Sequence, residues 1–295
     1  MNTRKFCLTC QMVTDWDEPY HGASGCLRCG SNTLNQMLSS GQQLLLETRG
    51  RHYNSCQKVR PNGISICILT YNVPFYNKLA IQQIRKLTRC VEYEILVYDN
   101  GSPEDTKEWL KGQRDVVYHE GSGNVLRHGQ ALDLLAKEAK YDVMCALCSD
   151  AFPVSPEWIL PALYLYGDTV ISGVNRESKR EGRILGDYPC PSYFFGLTDW
   201  VRGHSFVDDW PRADTGELLG QACLDEGKQM KLWDRIMVDF DGMFRPKPCD
   251  YAGLVWHTWW SGRTQTIPSL TGNEFETGYH EFVINMLRER FKLDF

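Results

Sequence analysis

The sequence predicts an α/β body, a mostly parallel twisted sheet flanked by helices, with a small amino-terminal zinc ribbon of four cysteines. Three observations carry this. Short apolar runs alternate with segments of helical period from Ile64 to Asp150, the rhythm of a parallel sheet covered on both faces. Each run ends in polar residues, at the carboxyl edge where open α/β sheets bind ligands. Ahead of them, Cys7-Leu8-Thr9-Cys10 and Cys26-Leu27-Arg28-Cys29 make two C-x2-C pairs.

Two residues between thiolates let both sulfurs of a tight knuckle face one ion, and two knuckles complete a tetrahedron. Gly25 and Gly30 beside the second pair supply permissive backbone. A closed shell of four thiolates leaves no open position, so Zn2+ on Cys7, Cys10, Cys26 and Cys29 is expected to be structural. A segment of ~30 residues cannot bury a sufficient core, so the ion would supply its folding energy. A redox dithiol is the alternative. The run from Ser31 to Thr48 contains Leu44, Leu45 and Leu46 and one glycine, and is expected to form a short helix. Residues 49–63 contain Gly50, Pro61 and Gly63 and fit a linker. The expected division is therefore 1–48, linker 49–63, body 64–273, and a closing amphipathic helix over 274–295.

The 295 residues are 42% hydrophobic and 23% charged, which excludes a disordered or fibrous chain. The longest uncharged apolar run, Ile64 to Tyr71, is well short of the ~20 residues that span a bilayer, so no membrane insertion is expected. Arg4 and Lys5 are not followed by an apolar stretch, so no secretory signal is read and a cytoplasmic location (host cytoplasm for a viral chain) is expected. The 12 cysteines are then not expected to form a disulfide framework. Net charge is −5, unevenly spread: residues 1–62 carry seven Lys/Arg against four acids, +3, and the remaining 25 basic and 33 acidic residues give −8. A basic appendage on an acidic body suits an anionic macromolecular partner, or reflects chance.

Within the body, Ile64 to Leu69 is a buried-strand pattern that stops at Thr70-Tyr71-Asn72. Leu79, Ile81, Ile84 and Leu87 space a helix over 77–90. Glu94 to Tyr98 is a second strand, ending at Asp99-Asn100-Gly101-Ser102. A helix over 104–111 follows, with Ser102 expected to cap it and Pro103 at its first position. Val116 to Tyr118 is a third strand, His128 to Ala139 a helix, and Asp142 to Leu147 a fourth strand ending at Cys148-Ser149-Asp150. Arg183 to Gly196 is aromatic and proline-rich without a regular period, and ordinary loop packing is its plain reading. Phe282, Ile284, Leu287 and Phe291 space the closing helix, whose charges nearly cancel.

The order of these strand ends resembles the family 2 glycosyltransferases of GT-A fold. Their pattern runs from a strand into T-Y-N, a strand into D-N-G-S, an N-x-G with a small-residue helix, and a strand into D-x-D. Here these are Thr70-Tyr71-Asn72, Asp99-Asn100-Gly101-Ser102, Asn124 through Gly129, and Cys148-Ser149-Asp150. The resemblance covers residues 64–175 clearly and runs to 265 loosely. It implies a nucleotide-sugar donor, held by Thr70, Tyr71, Asn72, Asp99, Asn100, Gly101, Ser102 and Asn124. Chemically, Asp99 can accept hydrogen bonds from ribose hydroxyls or a uracil N–H, or can simply shape a turn. Asp150 stands at the second acid of the D-x-D motif, where Mn2+ or Mg2+ neutralises a departing diphosphate. Cys148 replaces the first acid, a departure from the pattern. The late His257 matches the family tendency to return a histidine to the metal, and Arg263 could pair with the diphosphate; an aromatic-cluster histidine is the alternative. Asp214, in Ala213-Asp214-Thr215-Gly216, falls where the family places its general base and is preferred over Asp208 and Asp209. It could equally cap the helix over 215–225.

The expected function is inverting, metal-assisted transfer of a sugar, from a UDP-sugar, to a hydroxyl of a macromolecular acceptor. DNA carrying hydroxymethylated pyrimidines is one candidate by analogy, although an acidic body argues against a duplex; a protein or cell-surface glycan is another. A degenerate binding module that keeps the fold is the second class, suggested by Cys148. A nucleotidyltransferase would want a glycine-rich phosphate loop after the first strand, and Thr70-Tyr71-Asn72 is not one.

Overall fold

The computed structural model describes residues 3–7, 12–17, 25–26, 62–258 apart from 89–90, 122–125, 178–186, 208, 210–212, 234, 238–248 and 252, and then 285 and 287–289. In the amino-terminal part, β1 (Thr3–Cys7), β2 (Met12–Asp17) and β3 (Gly25–Cys26) form an antiparallel sheet. Cys7 pairs with Met12 and Cys26 with Trp16. Cys10, Cys29, the helix expected at 31–48 and most of the linker lie outside the described residues.

The body follows the predicted alternation: β4 (Ile64–Thr70), α1 (Pro74–Leu87), β5 (Tyr93–Asp99), α2 (Glu104–Lys111), β6 (Val116–Glu120), α3 (His128–Glu138) and β7 (Val143–Cys148). After them come β8 (Ala151–Pro153), β9 (Thr169–Glu177), β10 (Asp187–Leu197), α4 (Thr198–Arg202), α5 (Glu217–Asp225), β11 (Gln229–Trp233), β12 (Ile236–Met237), β13 (Cys249–Tyr251) and β14 (Val255–His257). The main sheet has seven strands in the order β11-β9-β10-β7-β4-β5-β6. Its β7-β4-β5-β6 half is parallel, β10 runs antiparallel to β7 and β9, and β11 is parallel to β9. A second sheet, β12-β13-β14-β8, is antiparallel.

Strand alternation sorts β4 between two cores. Ile64, Ile66 and Ile68 join Ile81 and Ile84 of α1 on one face, and Cys67 joins Leu132 and Leu135 of α3 on the other. The first turn of α3 sits directly on the chain at Phe206-Val207. A Cβ at Gly129 would lie 2.3 Å from the Phe206 carbonyl oxygen, so this close approach requires glycine. Leu287 is buried in a third cluster with Val73, Tyr76, Leu79, Phe152 and Trp256. Among the described residues, no helix is long and apolar enough to cross a membrane.

From Asp187 onward the proline-rich segment is not a loop but β10 (Asp187–Leu197), buried along almost its whole length. Its prolines hid it, because proline cannot donate to a ladder and argues against a central strand. The pairing shows how they are accommodated. Among the described residues, β7 pairs with β10 over residues 193–197; Pro189 precedes that stretch and pairs with Asn175 of β9, and Pro191 falls in the register shift. The β9–β10 register also shifts between Cys190 and Phe194, and such an irregularity tolerates the missing donor.

Gly129→Ala should destabilise the body by ~1–3 kcal/mol, the usual cost of forcing a group into filled space. Gly112→Ala meets nothing nearer than 3.4 Å at ordinary φ and should change stability by less than ~0.5 kcal/mol. Chemical denaturation of both variants checks the contrast.

Candidate active site

Thr70 ends β4 and pairs with Asp99 at the end of β5, so the two strand ends lie side by side. Asp99 is completely buried. Its Oδ1 accepts the N–H groups of Gly101 (3.2 Å) and Ser102 (2.9 Å), and its Oδ2 accepts the Tyr118 hydroxyl at 2.9 Å. Burial and the Asp99 carboxylate push the Tyr118 phenol well above its ordinary value. These bonds make Asp99 the builder of the Asn100-Gly101-Ser102 turn, with Gly101 at φ 108, a backbone conformation that glycine adopts without strain. Ser102 was expected to cap α2, but Pro103 is the cap residue and contributes no side-chain bond. The Ser102 hydroxyl accepts the Asn72 N–H at 2.9 Å, bridging the two turns. Asn72 itself has φ 49, which asparagine tolerates better than most residues.

Asn100 fastens a third segment to this edge. Its side-chain amide donates to the Leu126 carbonyl (2.7 Å) and accepts the Leu126 N–H (2.8 Å). The buried Asn77 of α1 donates to the Thr70 hydroxyl. Tyr71 is 42% exposed, and its ring reaches to 4.0 Å from where a Gly101 Cβ would stand. The edge therefore presents an exposed aromatic face over a pinned polar turn.

Next along the sheet, β7 ends at Cys148, paired with Leu69. Asp150 follows two residues later. His257 arrives from 107 residues downstream because β14 pairs with β8, placing His257 opposite Ala151. The Asp150 carbonyl accepts both the N–H and the hydroxyl of Thr258, each at 3.0 Å, which locks the return strand in place. His257 Nε2 lies 3.0 Å from Asp150 Oδ1, and His257 Nδ1 lies 2.6 Å from the Tyr251 hydroxyl. The ligand atoms of Cys148, Asp150 and His257 all lie within 4.8 Å of one another. Burial, with the Asp150 charge second, pushes the Cys148 thiol well up.

This group fits a divalent cation. It supplies a carboxylate oxygen, an imidazole nitrogen and a sulfur in a site where the Asp150 and His257 side chains are only 13% and 6% exposed. The far nitrogen of His257 is already engaged, as metal-bound imidazoles require. The Tyr251 hydroxyl can donate or accept, so the ring can carry its proton on either nitrogen.

Asp214 lies in the turn before α5. Its Oδ2 accepts the Tyr188 hydroxyl at 3.2 Å and pairs with Arg176 at 2.9 Å. Its Oδ1 accepts the Thr215 N–H at 2.9 Å. It does not cap α5: Gly216 is the cap residue at φ 89, and no side chain caps the helix. A Cβ at Gly216 would stand 2.6 Å from the Pro189 carbonyl oxygen, so glycine lets this turn press onto β10. Glu217, fully buried, accepts the Asp214 N–H at 3.0 Å. Tyr188 and Arg176 face each other across the β9–β10 ladder. Arg176, which pairs with Asp214, also lies among the groups around Cys148, so the Asp214 and Asp150 groups are neighbours.

The structure thus brings Thr70, Asn72, Asp99, Asn100, Gly101 and Ser102 together on one edge, with Asp150 and His257 as a second group and Asp214 as a third. Asn124, Asp208 and Arg263 lie outside the described residues, as do the side chains of Cys7 and Cys26. Sequence reasoning missed Tyr118, Tyr251, Arg176 and Tyr188. Tyr251 had a weak signal, since it and His257 flank a turn at Gly253. Arg176 and Tyr188 become neighbours only through the unrecognised β10.

A comparison with curated proteins finds no match. Among solved structures, a mannosyltransferase from Pyrobaculum calidifontis, in complex with GDP-Man and Mn2+, matches with a TM-score of 0.49 and 12% identity over 68% of this chain and 66% of that one. TarS from S. aureus (residues 1–349) matches with a TM-score of 0.44 and 14% identity over 58% of each chain. The chain therefore spans less than two thirds of the length of these proteins. Residues 65–185 match the family model described as Glycosyl transferase family 2.

Proposed function

We propose that the protein transfers a sugar from a nucleotide diphosphate donor to a hydroxyl of a macromolecular acceptor, with inversion. The observation that carries this is the meeting of Asp150 and His257 at the carboxyl edge of the sheet, 3.0 Å apart although 107 residues separate them in sequence. They adjoin the paired turns at Thr70 and Asp99. The exposed ring of Tyr71 offers a stacking face for a base beside the turn. Asp99 supports this surface from beneath. Asn124 and Arg263 are proposed to extend the donor site. Asp150 and His257 would hold a divalent cation, which when bound would neutralise charge building on the diphosphate as the sugar leaves.

Inversion in one displacement needs a single base for the acceptor hydroxyl. Asp214 is proposed for this role. Arg176 and Tyr188 fix its Oδ2, while Oδ1 accepts one bond, and such an oxygen can accept two. The acceptor is a protein or glycan hydroxyl. Hydroxymethylated DNA finds no support in the fold or the comparisons, and the −8 on residues 63–295 repels a phosphate backbone. The amino-terminal Cys7, Cys10, Cys26 and Cys29 are proposed to hold one structural zinc ion.

Asp150→Ala should abolish cation-dependent binding of UDP while circular dichroism stays unchanged. Calorimetry with and without Mn2+ tests this, and unchanged affinity would place the cation elsewhere. Asp214→Asn should retain donor binding while transfer falls by ~10²–10⁴, the usual worth of a positioned base. Asp209→Asn should cost far less. A near-normal rate for Asp214→Asn in a nucleotide-release assay would remove Asp214 from the chemistry.

A further inference from the structure

We propose that Cys148 is a third protein ligand of the cation site and makes it selective for a thiophilic divalent ion, of the Zn2+ or Co2+ kind, over Mg2+. This rests on Asp150 and His257 being cation ligands and goes beyond it in naming the ion. Cys148 is the last residue of β7, held in register against Leu69. Its sulfur, an Asp150 oxygen and a His257 nitrogen lie within 4.8 Å of one another. Zinc binds sulfur at about 2.3 Å and nitrogen or oxygen at about 2.0 Å, so tetrahedral ligand atoms stand about 3.3–3.6 Å apart. The 3.0 Å between Asp150 Oδ1 and His257 Nε2 is already close to that spacing.

The chemistry of the three donors chooses the ion. Mg2+ prefers six oxygen ligands and keeps its waters. A sulfur, an imidazole and one carboxylate match the zinc class instead. On binding, the thiol passes its proton to water and the thiolate joins the ion. Three protein ligands leave a fourth position open, the arrangement of a working zinc site rather than a structural one. An oxygen of the donor diphosphate suits that position. The surroundings are prepared for this: Ser192 lies beside Cys148 and 3.1 Å from Cys190, and Tyr251 holds the far nitrogen of His257.

The test is Co2+ titration of the full chain with UDP present, after the amino-terminal cysteines have been filled with zinc. Wild type should show a near-ultraviolet thiolate-to-cobalt charge-transfer band with visible bands of a four-coordinate ion. Cys148→Ser should lose the charge-transfer band while calorimetry still detects Co2+ on Asp150 and His257. Cys148→Asp should lose the band and reverse the metal order, so that Mn2+ displaces Co2+. Subtracting the Cys148→Ser spectrum removes any contribution from the amino-terminal cysteines. If wild type and Cys148→Ser both bind Co2+ with identical spectra, the thiolate is no ligand and this inference falls while the cation site stands. If neither binds Co2+, Mn2+ or Mg2+ beyond the amino-terminal zinc, the cation site itself is overturned and this inference with it.

Discussion

β4 is hydrogen-bonded in parallel on both sides, to β5 and to β7, and the active edge depends on that double pairing. It sets Thr70 level with Asp99 and Leu69 level with Cys148. Polar residues from three separate segments therefore reach the same edge, although about 30 residues of chain separate Thr70 from Asp99 and more separate Asp99 from Cys148. Isoleucines of β4 anchor one face of the sheet and Cys67 the other. Burying the strand on both faces also fixes its register, because a slip of one residue would turn every side chain to the opposite face.

The second requirement is the return of the chain through β14. Pairing with β8 carries His257 to Asp150, and two bonds from Thr258 to the Asp150 carbonyl hold it there. A buried carboxylate and imidazole are costly unless satisfied, and here each has a partner in the fold. Tyr251 lets His257 hold its proton on either nitrogen, so the group can be satisfied both with and without an ion. Asp99 shows the opposite use of a buried carboxylate. Its three bonds lie within the protein and shape the Asn100-Gly101-Ser102 turn.

The βα alternation from Ile64 to Cys148 is legible because each strand is a short apolar run and each helix keeps its period. The strand ends are legible for the same reason, as polar residues following such runs. β10 is not, since Pro189 and Pro191 contradict a central strand and only the pairing explains them. That omission hides Arg176 and Tyr188, which become neighbours across the β9–β10 ladder, and so hides what holds Asp214. The cap expected from Ser102 and the cap considered for Asp214 are local inferences overridden by tertiary contacts: Ser102 bonds to Asn72, and Asp214 to Arg176 and Tyr188. Tyr118 is invisible to a local reading and Tyr251 nearly so, because their partners are fixed by sheet geometry rather than by a motif.

The most direct test of the central claim is a crystal structure of the full chain with UDP and Mn2+, with the ion located by anomalous scattering. The account predicts an anomalous peak bonded to Asp150 and His257, with the diphosphate on the ion and the base against Tyr71. A cation bound away from His257, or UDP seated elsewhere on the molecule, would contradict it.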